Sequence, residues 1–169
     1  MKYLSFVFFA LLVVVAGACK SKSTTETTPQ RIDPIAIEPI DEMPKRPSVF
    51  FEMKRTACFG TCPIYNVTIM DNGEVYYEGK NFVEKIGNYH TTLDNANLQK
   101  IRDKIVAINY FSLQDEYDSP ITDIPSVYTT VNYGGQTKTI HDRHKGPREL
   151  DELYALVDDI LNACNWSKN

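Results

Sequence analysis

The chain has 169 residues, a formal charge of -4 and a pI near 5.4, with 43% hydrophobic and 24% charged residues. That balance suits an ordinary globular protein of about one domain and leaves no basic footprint for nucleic acid. Nucleic-acid binding is therefore excluded first.

Residues 1–18 read as a signal peptide. Lys2 supplies a positive start, and the uncharged run Tyr3 to Ala16 is shorter than the roughly 20 residues a spanning helix needs. The run ends in Ala16-Gly17-Ala18-Cys19, which resembles a bacterial lipobox with Ala16 at the position where leucine is usual. Cys19 is the expected lipidation site. Fatty acyl chains such as palmitate on that residue would hold the protein on a membrane, since two chains anchor stably where one is marginal. Lys20 follows where inner-membrane retention would place aspartate, so the expected location is the outer membrane, facing the periplasm. Plain secretion with Cys19 unmodified is the alternative.

Residues 19–47 read as a tether. Ser21 to Thr28 is nearly all Ser, Thr and Lys, and prolines recur at 29, 34, 39, 44 and 47. This composition favours an extended polyproline-like spacer. A proline-spaced ligand for a partner is the weaker reading, because no aromatic or basic specificity residues accompany it.

Residues 48–169 carry the folded domain. Val49 to Arg55 is a strand, followed by the turn Cys58-Phe59-Gly60-Thr61-Cys62-Pro63. Ile64 to Met70 alternates with the period of a strand, and Asp71-Asn72-Gly73-Glu74 is a hairpin signal. Val75 to Glu78 returns, and Gly79-Lys80-Asn81 turns into a fourth strand at Phe82–Ile86. Leu98, Ile101, Ile105 and Ile108 then form a helical stripe with Thr92 or Asp94 as N-cap. Gln114 to Pro125 reads as an acidic loop. Val127 to Tyr133 and Thr137 to His141 form a second hairpin across Gly134-Gly135. The last helix opens at Gly146-Pro147 and buries Leu150, Leu153, Val157, Ile160, Leu161 and Cys164. The expectation is an α+β domain of order ββββ-α-ββ-α, an antiparallel sheet with two helices on one face.

These residues resemble a family of bacterial envelope lipoproteins and secreted proteins classed only as a domain of unknown function. The resemblance runs from Phe51 to Trp166. It is carried by Arg55 through Tyr65 with its Cys-Phe-Gly-Thr-Cys-Pro core, by Asn72 through Gly79, by Thr122-Asp123-Ile124-Pro125 and by the closing helix. It implies a shared fold and an envelope location, and no activity.

Four groups of residues carry candidate chemistry. Cys58 and Cys62 would lie too far apart in an extended strand to bond, but Gly60 permits a reversal that brings them together. In an oxidising compartment a disulfide is the favoured reading, a bond from either cysteine to Cys164 a second connectivity, and a redox dithiol or half of a metal site the alternative. His141 and His144 could join Cys58 and Cys62 in a two-Cys, two-His zinc site, although their spacing is shorter than usual for that class. A histidine activating a cysteine nucleophile is a further thiol-based option. Asp115, Glu116, Asp118 and Asp123 lack the spacing of a calcium loop and read as a solvated acidic segment. Tyr76 and Tyr77 are adjacent on a strand and must point to opposite faces. Exposed aromatics on an open sheet face would suit a protein or glycan ligand. The expected function is a lipid-anchored, non-enzymatic binding or structural module without a cofactor. The alternative is a thiol-redox or metal site on Cys58 and Cys62 with His141 and His144.

Overall fold

The computed structural model describes residues 46–169, which fall within one compact unit. The residues read as a signal peptide, the expected lipidation site Cys19 and nearly all of the expected tether lie outside the described residues. Strand β1 (Val49–Arg55) pairs with β2 (Ile64–Met70), β2 with β3 (Glu74–Asn81), and β3 with β4 (Gly87–Thr92), all antiparallel. Helix α1 (Asn95–Ala107) and a 3-10 turn (Tyr110–Ser112) lead to a short strand β5 (Glu116–Tyr117). The hairpin β6 (Val127–Tyr133) and β7 (Gln136–Asp142) precedes helix α2 (Arg148–Asn162), and β8 (Ser167–Lys168) closes the chain. The eight strands form a single sheet in the order β5-β7-β6-β1-β2-β3-β4-β8.

Period-two alternation decides which face of the sheet is buried. Phe51 and Met53 of β1, Val67 and Ile69 of β2, Val75 of β3, Val131 of β6 and Ile140 of β7 are all buried. They share one core with Leu98, Ile101 and Ile105 of α1 and Leu150, Leu153, Val157 and Ile160 of α2. Residues of the other phase, such as Glu52, Lys54, Tyr76, Glu78 and Tyr128, are exposed. A register shift between Val49 and Phe51 in the β1–β2 pairing breaks this rule once. Phe50 and Phe51 are both buried as a result, and Arg102 of α1 sits over the Phe50 ring.

Asp94 caps α1, its carboxylate accepting the Asn97 N–H at 2.7 Å. Asn109 takes a left-handed backbone that turns Tyr110 back into the core, where its hydroxyl bonds the buried Thr129. The hairpin across Gly134-Gly135 forms as expected, with positive φ at both glycines.

The sequence expectation needs three corrections. The fourth strand lies at Gly87–Thr92, whereas Phe82–Ile86 is a loop in which Phe82 has a φ of 51°. The acidic segment after Leu113 contributes β5, which pairs with β7 in parallel, so the sheet is mostly rather than wholly antiparallel. Finally, the residues after α2 add β8 to the β4 edge.

Candidate functional site

The cysteine turn connects β1 to β2. Cys58 and Cys62 form a disulfide across a Cα–Cα distance of 5.8 Å, within the range such bonds span. By loop entropy a ring this small contributes about 2 kcal/mol. The turn is also pinned from outside. Thr56 N–H donates to the Ser126 carbonyl at 3.0 Å, Ser126 N–H to the Thr56 hydroxyl at 2.8 Å, and Phe59 N–H to the Asp123 carbonyl at 3.0 Å. Phe59 projects from the tip and is 90% exposed. Cys164 is free and half-buried, its thiol donating to the Ile160 carbonyl, and burial pushes the thiol pKa up.

Downstream of Pro63 the strands reach the end of the covered face, and here the inward phase changes character. Phe51 and Met53 are followed in phase by Arg55, and Val67 is preceded by Tyr65. On β3 the inward position opposite Val67 is Tyr77. Helix α2 answers with Asp158, one residue beyond the buried Val157. Arg55 Nε donates to the Tyr65 hydroxyl at 2.9 Å and Arg55 Nη2 to Asp158 Oδ2 at 2.6 Å; the Tyr65 hydroxyl in turn donates to Asp158 Oδ1. The three groups form a closed triangle in which both carboxylate oxygens are engaged. Burial raises the Tyr65 pKa, an effect that nearby Arg55 partly opposes. At Arg55 burial disfavours the charged form, but Tyr65 and Asp158 together outweigh it and hold the proton more firmly.

An aromatic wall stands beside this triangle. The Tyr65 and Tyr77 rings stack at 5.3 Å, and Trp166 continues the row at 5.4 Å from Tyr77. Trp166 is held by its indole N–H, which donates to the Leu161 carbonyl at 3.0 Å, and by β8 on the sheet edge. The Tyr77 hydroxyl pKa is pushed up to about 12, first by burial and then by Asp158 and Tyr89.

The loop 82–86 completes the enclosure. A Cβ on Gly79 would overlap the Lys85 carbonyl oxygen and crowd the Tyr77 ring at 2.9 Å, so only glycine lets the loop fold this close over β3. A cavity of about 360 Å³ results, with Arg55, Tyr65, Tyr77, Asp158, Asn162 and Trp166 on its walls. Pro63, Phe82 and Lys85 stand among its other lining residues. That volume lies at the lower end of the roughly 300–1,000 Å³ typical of small-molecule sites.

The histidines expected at a metal site lie elsewhere. His141 stacks on Tyr128 with the rings 4.3 Å apart and nearly parallel. Its Nε2 bonds the Ser126 hydroxyl at 3.0 Å and its Nδ1 faces Glu116 at 3.2 Å. The backbone N–H of His144 donates to the Tyr117 carbonyl. Among the described residues no group of three or more His, Cys, Asp or Glu side chains converges as a metal site would require. Cys58 and Cys62, bonded to one another, offer no thiolate.

Sequence reasoning named Tyr76 and Tyr77 as facing opposite ways, and they do: Tyr76 is 48% exposed while Tyr77 stands in the aromatic wall. It missed Arg55, Asp158 and Trp166 as site residues. The available signal was charge on an apolar phase, since Arg55 follows Phe51 and Met53 at period two and Asp158 sits three residues before the buried Leu161.

The sequence model of one family, described as a domain of unknown function (DUF6438), matches residues 49–161. The chain belongs to this family. The matched stretch includes the cysteine turn, Arg55, Tyr65, Tyr77 and Asp158, and ends before Trp166. No curated protein matches the chain.

Proposed function

We propose that this protein is a lipid-anchored envelope module, exported by its signal peptide, acylated on Cys19 and held at the outer membrane, whose folded domain binds a ligand without transforming it. The observation that carries the binding role is the cavity of about 360 Å³ between the β1–β3 ends and α2, in which an aromatic wall meets a fixed polar triangle. A concave site with apolar walls and a few convergent polar groups is the usual form of a small-molecule site. Arg55 and Tyr65 each engage one oxygen of Asp158 and hold the carboxylate in a fixed orientation, which suits a site built to position a ligand. The thiol or metal alternative on Cys58 and Cys62 finds no comparable support, since these sulfurs are bonded to each other.

Two measurements on one preparation test this reading. Mass spectrometry of full-length protein from its own envelope should find acyl mass on the peptide beginning at Cys19, and an unmodified or uncleaved peptide would contradict the anchor. The chain contains one tryptophan, and it lines the cavity. Its fluorescence should therefore change saturably with a compound that occupies the site. A panel of saccharides and short peptides that leaves Trp166 emission untouched would contradict the binding role.

A further inference from the structure

We propose that the cavity takes a neutral saccharide, with a pyranose ring laid against Trp166 and Tyr77 and its hydroxyls hydrogen-bonded by Arg55, Asp158 and Asn162. This deepens the binding reading above and rests on it. Three observations converge on the assignment.

The first is charge. The cavity is lined by two cations, Arg55 and Lys85, and two anions, Asp158 and Glu84. They are already paired, Arg55 with Asp158 at 2.6 Å and Lys85 with Glu84 at 3.6 Å. A charged ligand would have to break the Arg55–Asp158 pair, whose side chains are mostly covered, and strand one partner, which is costly where water is partly excluded. The Lys85–Glu84 contact, with Glu84 89% exposed, adds little to that cost. A neutral ligand leaves both intact.

The second is the supply of hydrogen-bonding groups. A guanidinium carries five N–H donors, and Arg55 uses two in its bonds to Tyr65 and Asp158. The Asn162 amide offers a donor and an acceptor, and carboxylate oxygens have lone pairs for more than one bond. Such a mixed set suits groups that donate and accept at the same atom, as a sugar hydroxyl does.

The third is shape. Tyr77 and Trp166 form a row of aromatic rings, tied in place by the Trp166 bond to Leu161. The electron-rich face of an aromatic ring favours the C–H-bearing face of a pyranose, whose rim remains polar. A peptide fits less well here. Peptides commonly dock by adding a strand to a free sheet edge, but β3 beneath the cavity is paired on both sides, with β2 and β4.

The test is isothermal titration calorimetry on the full-length protein in detergent. Cellobiose and N,N′-diacetylchitobiose serve as neutral probes, glucosamine and glucuronate as charged ones, and trialanine as the peptide. At least one neutral disaccharide should bind saturably with a low-millimolar or tighter Kd, and more tightly than either charged sugar. Trp166→Ala and Asp158→Asn should each weaken it about tenfold, the scale of one lost stacking or hydrogen-bonding contact. Phe82→Ser, at the exposed lip, covers the case in which Trp166→Ala fails to fold, and should weaken binding severalfold. Binding of a disaccharide that is unchanged in these variants would overturn the assignment. If trialanine bound in a variant-sensitive way while both disaccharides were silent, the saccharide assignment would fall and the cavity would stand as a ligand site. Silence from every probe would overturn both.

Discussion

Two clusters on this sheet are built from similar side chains and differ in shape. On the covered face, Arg55, Tyr65, Tyr77, Asp158 and Trp166 surround a cavity. On the open face, Tyr128 and His141 stack flat against each other with Ser126 and Glu116 at the rim, and Lys54 lies over the Tyr128 ring. Both combine aromatic rings with hydrogen-bonded polar groups. The first lies under a second layer, because α2 ends above it and the loop 82–86 folds beside it, whereas the open hollow of about 380 Å³ beside Tyr128 is lined by strand residues alone. Residue type supplies chemistry, and topology supplies enclosure.

The sharpest way to break the difference is Gly79→Ala. Its Cβ would meet the Lys85 carbonyl, so the loop must move. Denaturant unfolding should show a loss of about 1–3 kcal/mol, the usual range for overpacking. Trp166 emission should shift toward that of a solvated indole. The open face should be unaffected, and a substitution that left stability and emission unchanged would show that the loop does not pack as described.

Removing the disulfide acts on the same end of the sheet through the connection rather than the cavity wall. Cys58→Ser with Cys62→Ser should cost about 2 kcal/mol by loop entropy, read from the same unfolding curves. The native bonds from Thr56 and Phe59 to the 123–126 segment should keep the turn near its place, so ligand affinity should fall less than stability does.

Single polar substitutions compare the two clusters directly. Asp158→Asn keeps the shape but removes the charge opposite Arg55, a pair only part-exposed to solvent. It should cost about 1 kcal/mol, since solvent already screens much of the attraction. His141→Ala, on the flat cluster, removes a part-buried stack on Tyr128 together with the contacts to Ser126 and Glu116, and should cost about as much. A much larger cost for His141→Ala would mean that the open face carries the more tightly built cluster.

The smallest expected effect concerns pH. Asp142 is buried, and its pKa is raised above the ordinary 3.8, chiefly by burial and then by Asp151; the Tyr154 hydroxyl and the Gly146 N–H act in the opposite direction. The folded state therefore holds this proton more firmly than the unfolded chain does. Its contribution to stability is complete below the ordinary value and is lost as pH rises through the raised one. In Asp142→Asn the stability profile above about pH 4 should be flatter than in the parent. A parallel profile would contradict the raised value.

The contrast between the clusters also explains what the sequence could disclose. Strands β1 to β3, both helices and both hairpins follow from local signals: period two in Ile64–Met70, a helical stripe at Leu98, Ile101 and Ile105, and turn glycines. The misplaced fourth strand shows the limit. Phe82-Val83 and Ile86 look more strand-like than Gly-Asn-Tyr-His-Thr-Thr, but β4 is an intermediate layer of half-exposed residues that gains its order from pairing with β3 and β8. The site was harder still. Its residues come from positions 55, 65, 77, 158 and 166, and no short motif joins them. The cysteine turn drew attention as a motif, while its structural part is to set the β1–β2 connection from which Pro63 and Tyr65 enter the cavity.

On the proposed reading, ligand recognition belongs to the concave cluster and not the flat one. Amide and indole chemical shifts recorded during titration with cellobiose and N,N′-diacetylchitobiose test it most directly. The Trp166 indole N–H and the amides of Tyr65, Tyr77, Lys85 and Asn162 should move together with one saturation curve, while Tyr128, Thr130 and His141 stay still. Movement confined to Tyr128, Thr130 and His141, with Trp166 fixed, would place recognition on the open sheet face and contradict the account.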